Sequence, residues 1–383
     1  MKRVAVVVAM GLAGTAWVRQ AAAQVVIERA SYGVTLEAFG NVTAARPVGG
    51  DTGSIEGLDL RLDGAVRLIS LVKTGSGFSF GPRVVVQTTP QDKVGFAERS
   101  LLFLGRWGRI EVGNRQGLPD VLIGYAPNNF TFTGAEFGPA TGPGLDPDGR
   151  LPTAYLTPAL AAQIDGLSSL GFAASLYGDE SRKFIYVLPK KKGFLGGVSF
   201  APRVDRRNGS YRELLQSGLT YEFYTKRDVF RLGASYTYAH GARAAAGGDV
   251  MGDLHSVSGG ATTTLSDRLV LGVSFTYNGD TGLARRPGPT FQSAAFGYAA
   301  SVNYNLGPWT VGGYYQRSRS EGDTAVLGAD LLRAVELGAS YRFNRRVRIY
   351  GAAYLYGFRN EGGRAPGDRF DGAVVLVGLR AAI

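Results

Sequence analysis

Charged side chains at two-residue spacing are the first feature of this chain with chemical content. Asp59, Arg61, Asp63 and Arg67 fall on alternate positions of one segment, Arg83 and Gln87 on a second, and Arg109, Glu111 and Arg115 on a third. That spacing puts side chains on one face of an extended strand. A second set is acidic: Asp120, Glu136, Asp146, Asp148 and Asp165 all lie in one stretch from Gly117 to about Glu180. Arginines facing carboxylates across a narrow aqueous opening set up a transverse field. Such a field orders water and penalises large apolar solutes, while polar solutes exchange hydrogen bonds.

Other chemistry is thinly supplied. The segment GRWGRIEVGNRQG, Gly105 to Gly117, is rich in glycine and arginine. It matches neither G-x-x-x-x-G-K-[ST] nor a strand followed by G-x-G-x-x-G, so no phosphate-binding loop is expected. The histidines are His240 and His255, and there is no cysteine. Thiolate metal sites and disulfides are therefore excluded. His240 beside Ser235, or His255 beside Ser256, is the most the chain offers towards a hydrolytic triad, and sequence proximity does not make one. Catalytic, cofactor-binding and metal-ligating residues are not expected.

The elements that would position the charged residues have period two. In Leu269–Asn278 the odd positions read Leu, Leu, Val, Phe, Tyr and the even ones Val, Gly, Ser, Thr, Asn. In Gln292–Tyr304 the even positions carry Ala294, Phe296, Tyr298, Ala300, Val302 and Tyr304. Each is a strand with one apolar face and one small or polar face. Such segments recur from Tyr32 to the end. Seven connections are tight: 74–77, 105–108, 190–193, 226–228, 266–268, 306–308 and 344–346. Eight are longer and polar: 49–57, 89–93, 117–180, 203–211, 241–253, 280–289, 320–329 and 360–368. Seven plus eight connections join sixteen strands. An even strand number, with short turns at one end and long loops at the other, is the pattern of an antiparallel transmembrane β-barrel. A soluble β-sandwich also alternates. It would not place Gly, Ser, Thr and charge along one whole face, nor line the apolar face with Tyr, Phe and Trp near the segment ends.

The start of the chain agrees. Met1-Lys2-Arg3 is a basic n-region, Val4 to Trp17 an apolar core, and Ala21-Ala22-Ala23 supplies small residues before Gln24. This predicts a signal peptide over 1–23, cleaved before Gln24, and a single barrel domain over 24–383. The formal net charge is +11, and removing Lys2, Arg3 and Arg19 leaves 11 − 3 = +8. An exported basic chain has little access to nucleic acid, so no nucleic-acid partner is expected, and the excess reads either as solvated surface charge or as a basic lining that attracts small anions.

The stretch 117–180 interrupts the rhythm. It is too long for an ordinary loop and carries Tyr125, Phe130, Phe132, Phe137, Tyr155 and Leu156, which need packing partners. Folded into the barrel as the third external loop, it would narrow the opening.

Two motifs resemble a known family. Glu98-Arg99-Ser100-Leu101-Leu102-Phe103-Leu104, then Trp107-Gly108-Arg109-Ile110-Glu111-Val112-Gly113 and Gly117, resemble the fourth strand, turn and fifth strand of Gram-negative general porins of the alphaproteobacterial type. Ser181 to Pro189, then Gly193-Phe194 and Gly197 to Pro202, resemble their sixth and seventh strands. The resemblance implies an outer-membrane homotrimer in contact with lipid and lipopolysaccharide, inserted by the barrel-assembly machinery, through which small hydrophilic solutes and ions diffuse passively. It puts Arg115 near one pore-lining arginine of the family and Arg182 near another, beside the strand positions Arg61, Arg67 and Arg83. Where the family ends in Phe, this chain ends in Ile383. The excess of inward arginine predicts a mild anion preference. The alternatives are a channel selective for a sugar, carboxylate or phosphate, and a barrel enzyme or adhesin.

Overall fold

The structure is a computed structural model. It describes residues 6–7, 24–28, 31–48, 59–88, 94–122, 181–206, 209–241, 253–279, 294–321, 329–344, 346–359 and 369–382. Sixteen long strands form an antiparallel sheet: β1 (Tyr32–Val48), β2 (Asp59–Lys73), β3 (Ser79–Thr88), β4 (Val94–Gly105), β5 (Gly108–Asn114), β6 (Arg182–Val187), β7 (Phe194–Arg206) and β8 (Gly209–Tyr224), then β9 (Val229–Gly241), β10 (Leu254–Leu265), β11 (Leu269–Asn278), β12 (Ala295–Leu306), β13 (Trp309–Glu321), β14 (Ala329–Arg342), β15 (Val347–Arg359) and β16 (Arg369–Ala382). Each pairs with its neighbours in sequence, and β16 pairs with β1 from Ala373↔Val48 to Ala382↔Phe39, which closes the ring. Closure leaves no strand edge facing lipid, the condition for sheet in a bilayer.

Burial follows the two-residue period. On β11, Leu271, Val273, Phe275 and Tyr277 are exposed while Ser274, Thr276 and Asn278 are buried. On β12, Phe296, Tyr298, Val302 and Tyr304 are exposed, and Ser301 and Asn303 are buried. The exposed apolar face is outward and the polar face inward, the reverse of a soluble core and the arrangement a lipid environment requires. Aromatic side chains collect on the outer face near the tight turns. Trp107 lies 6.4 Å from Phe78 and 6.4 Å from Tyr186 between ring centroids, and Tyr186 donates its hydroxyl to the Trp107 carbonyl at 2.8 Å. The turn within GRWGRIEVGNRQG is therefore an interfacial anchor.

All seven tight turns are present at one end. One expected long loop is not a loop. Residues 203–206 and 209–211 are paired strand of the β7–β8 hairpin, with Arg203↔Arg212, Val204↔Tyr211, Asp205↔Ser210 and Arg206↔Gly209. Polar strand residues are stable where a hairpin rises beyond the lipid, so a charged stretch there need not leave the sheet.

Candidate functional site

The inward wall from β1 to β5 carries a continuous run of ion pairs. Arg67 on β2 bonds Glu37, its direct cross-strand partner on β1. Arg83 on β3 reaches Glu98 on β4, with its Nε 3.0 Å and Nη2 2.9 Å from the Glu98 Oε2. Glu98 also accepts from Arg115 Nη1. The Arg115 Nε donates to Glu111 Oε2 at 2.7 Å, and the Arg109 Nε stands 3.1 Å from Glu111 Oε1. The side chains of Arg115, Glu98 and Glu111 are 1 %, 3 % and 1 % exposed. Burial alone would lower the Arg115 pKa. The two carboxylates outweigh it and hold the guanidinium above its ordinary value.

Local backbone geometry makes this cluster possible. Gly113 has φ +140°, and a Cβ there would collide with the Arg99 carbonyl across the β4–β5 ladder. Only glycine takes that conformation without strain. The chain can then leave β5 at Asn114 and turn Arg115 inward over both glutamates. On β4, the register with β3 shifts by one residue between Val85↔Glu98 and Val86↔Phe96. This bulge brings Phe96 onto the outward face already held by Arg99, whose guanidinium sits over its ring at 5.3 Å. Glu98 faces inward in plain alternation with the buried Ser100 and Leu102.

After Arg115 the chain enters a short helix, α1 (Leu118–Leu122). Leu118 and Leu122 pack against Ile185 and Val187, on the inward face of β6, and against Leu195 of β7. The Leu118 amide donates to Gln216 Oε1 of β8 at 3.2 Å, and Ser199 of β7 donates to the same oxygen at 2.9 Å. The first turn of the long connection is therefore inside the ring, bound to the wall of β6–β8.

The predicted basic residues separate into three groups. Arg67, Arg83 and Arg115 face inward and are paired as described. Arg61 sits on β2 opposite Thr43, and its side chain lies outside the described residues. Arg182 is a correction. It is exposed on the same face as Phe184, which is 44 % exposed, so it points away from the lumen at the outer end of β6. The neighbouring Lys183 is the buried, inward cation. Alternation settles this, because Phe184 and Tyr186 mark the lipid face and Arg182 shares their parity. Of the acids, Asp120 falls within α1 but its side chain lies outside the described residues. Glu136, Asp146, Asp148 and Asp165 lie outside them altogether.

Several inward residues escaped the sequence reading. Glu37 and Glu98 complete the wall network. Gln216 has no charge to draw attention. Glu222 on β8 joins Lys190 to Arg231, whose Nη2 lies 2.8 Å from it. Strand parity finds Glu37, Glu98 and Glu222 alike, Glu98 by alternation with Leu101 and Phe103. The two histidines face outward beside tyrosines at the loop end. His255 Nδ1 is 2.9 Å from the Tyr236 hydroxyl, and His240 Nδ1 is 3.0 Å from that of Tyr238. Among the described residues, neither stands beside a buried serine nucleophile with an orienting carboxylate.

A closed sixteen-stranded ring with an apolar exterior, a charged wall and a connection that turns inward is the architecture of a bilayer pore. The sequence model for Gram-negative porins matches residues 5–361. The chain belongs to the Gram-negative porin family. It is thus an outer-membrane protein whose barrel encloses a diffusion channel. No curated protein matches it in sequence. The likeness extends to solved structures of low identity. The outer-membrane expressed OmpT of Vibrio cholerae matches with a TM-score of 0.60 at 12 % identity, covering 94 % of this chain and 100 % of that one. An anion-selective porin from Comamonas acidovorans matches at 0.59 and 15 % identity, covering 92 % and 100 %. A porin variant from Rh. blastica matches at 0.51 and 15 %, covering 91 % and 100 %.

Proposed function

We propose that this porin is a general diffusion channel with a mild preference for anions. The wall network carries the reading. Guanidinium and carboxylate groups alternate around β1–β5 at the root of the inward connection, where a polar solute meets fixed charge of both signs. Arginine outnumbers acid. Among the described residues, Lys183, Arg342, Arg348 and Arg380 also take inward positions, against Asp330 and Glu336. The anion selectivity named for the Comamonas acidovorans porin is consistent with this balance. The remainder of 117–180 is proposed to complete the constriction, with Asp120, Glu136, Asp146, Asp148 and Asp165 as its acidic side.

The mature chain is proposed to begin at Gln24 after removal of 1–23. The segment Gln24–Glu28 pairs with β1, from Gln24↔Glu37 to Glu28↔Gly33, so the barrel uses the chain from Gln24 onward. A homotrimer is the proposed assembly, since one solved form of the Vibrio cholerae OmpT is described as a trimer. Lipopolysaccharide and the barrel-assembly machinery are its proposed partners in the membrane.

Purified protein in a planar bilayer under a KCl gradient tests the reading. Stepwise ohmic conductance in groups of three, with a reversal potential on the chloride side of zero, is expected. A potential favouring K⁺ would overturn the anion preference, and block by one sugar or carboxylate at low concentration would replace general diffusion with selective transport.

A further inference from the structure

Four arginines stand on the outward face of the barrel at its loop end. Arg317 on β13 pairs directly with Arg333 on β14. One row further out, Arg319 on β13 and Arg359 on β15 flank Leu331 of β14. All four are exposed, and each shares strand parity with an exposed apolar residue: Arg317 and Arg319 with Tyr315, Arg333 with Leu337, Arg359 with Leu355. On β12 the same face presents Tyr298 opposite Arg317 and Phe296 opposite Arg319.

Strand geometry gives their height. Trp309 marks the turn-end aromatic belt on β13, 4.9 Å from Tyr341 between ring centroids. From Trp309 to Arg317, ~3.4 Å per residue and a strand tilt of ~40° amount to about 20 Å along the membrane normal, against an apolar band about 25 Å tall. The arginine rows therefore lie at the opposite edge of that band, the external one, with Tyr315, Leu337 and Leu355 exposed beneath them.

Arginine costs little at this depth, but the charge is unbalanced. Like charges directly opposed across a ladder destabilise a sheet. Among the described residues none of the four arginines bonds a carboxylate. The described acid in these rows is Asp371 of β16, whose Oδ1 leans over Gly357 of β15. Glu321 and Arg369, at the margin of the patch, have side chains outside the described residues.

Two properties select the occupant. Guanidinium presents paired N–H donors matched to phosphate oxygens. The patch is also continuous with the apolar exterior. A ligand that uses both is a phosphorylated amphiphile, with its head on the arginines and its chains along Tyr315 and Leu355. The patch is wide as well, since Arg319 and Arg359 stand two strand spacings, about 10 Å, apart. A single glycerophosphate engages one end of that span, whereas a glycolipid head with a phosphate at each end of a disaccharide reaches both.

We infer that Arg317, Arg319, Arg333 and Arg359 form a docking site for the bisphosphorylated lipid A head of outer-leaflet lipopolysaccharide. The inference rests on the lipopolysaccharide contact proposed above and gives it a place on the barrel. The phosphates bound there are neutralised by arginine rather than by divalent cations, so the contact persists in a chelator.

The experiment is native mass spectrometry of the purified porin in detergent with EDTA, adding diphosphoryl lipid A, its fully dephosphorylated form, phosphatidylglycerol or inorganic phosphate in turn. Wild type is expected to retain diphosphoryl lipid A in preference to the other three. R317Q/R333Q is expected to bind it about tenfold more weakly, through loss of two charge-assisted contacts. R227Q, which removes an arginine from a tight turn at the other end, is expected to bind like wild type. Equal binding by wild type and R317Q/R333Q overturns the site while leaving a lipopolysaccharide contact elsewhere on the barrel. A wild-type protein that takes up no lipid A overturns the lipopolysaccharide reading itself. Equal retention of any of the other three probes overturns the assignment to a bisphosphorylated head. Loss of the oligomer in R317Q/R333Q also overturns it, because the patch then faces a neighbouring copy of the chain. R319Q/R359Q makes the same comparison should R317Q/R333Q fail to assemble, and unaltered binding there counts against the site.

Discussion

An arginine that is 1 % exposed and bonded to two buried glutamates is held too firmly to exchange partners with passing solutes. Arg115 therefore acts by positioning: it fixes the point at which the chain leaves β5 for the lumen. Removing one member of a buried ion cluster leaves the others uncompensated, at a cost of about 3–5 kcal/mol. Arg115→Gln is expected to lower the thermal unfolding temperature, followed by circular dichroism in detergent, and to make single-channel current noisier as the root of the connection loosens. Quiet channels of unchanged conductance and stability would show that the cluster does not hold the connection. The sequence made Arg115 visible because it shares parity with Arg109 and Glu111. It could not show the pairing, since parity gives the face of each residue and not which side chains meet across the strands. At β6 parity was sufficient and family likeness misled: Arg182 stands on the aromatic face. Lys183→Gln is accordingly expected to shift the reversal potential towards K⁺, while Arg182→Gln leaves it unchanged. The opposite outcome would return Arg182 to the lumen.

Elements in this fold are specified by what each face must touch. The outward face asks only for apolar bulk, so alternation in β11 and β12 was legible without any structure. The inward face is more particular because α1 packs on it. A Cβ at Gly197 of β7 would stand 3.1 Å from Leu118 Cδ1 and 2.6 Å from the Tyr186 carbonyl. The glycine is the seat for Leu118. Gly197→Val is expected to cost about 1–3 kcal/mol through overpacking and to push α1 away from β6–β8 while the outer face is untouched. The predicted signature is an altered single-channel conductance with unchanged heat-resistant migration of the folded barrel on gels. A variant that conducts like wild type would mean that α1 tolerates displacement without narrowing or widening the path. No sequence pattern announces such a seat, because a glycine in a strand reads the same whether it faces a helix or water. The tip of the β7–β8 hairpin was misread for a related reason. Polarity there reports distance from lipid, not departure from the ladder.

Closure is a property of the whole molecule, and the alternating pattern implies it without showing how it is achieved. β16 pairs with β1 only as far as Ala382↔Phe39. Beyond that point, Gly33 to Glu37 of β1 would present an open edge, since their other side is already occupied by β2 from Gly33↔Leu71 to Glu37↔Arg67. Gln24–Glu28 fills the gap, running in the same direction as β16 from Gln24↔Glu37 to Glu28↔Gly33. One lane of the barrel is thus shared by the last strand and a segment from the start of the chain. Backbone groups without partners cost several kcal/mol each in hydrocarbon, and an open edge also invites pairing with another chain. Refolded protein starting at Arg29 should therefore be less stable than protein starting at Gln24, by ~3 kcal/mol or more if even part of this edge meets lipid. Its single-channel conductance should be retained, because the inward wall of β2–β5 is unaltered. Equal urea midpoints for the two proteins in detergent would show that the lane adds nothing to closure. A shortened chain that is both less stable and prone to higher-order association would show that the start of the chain seals the ring as well as strengthening it.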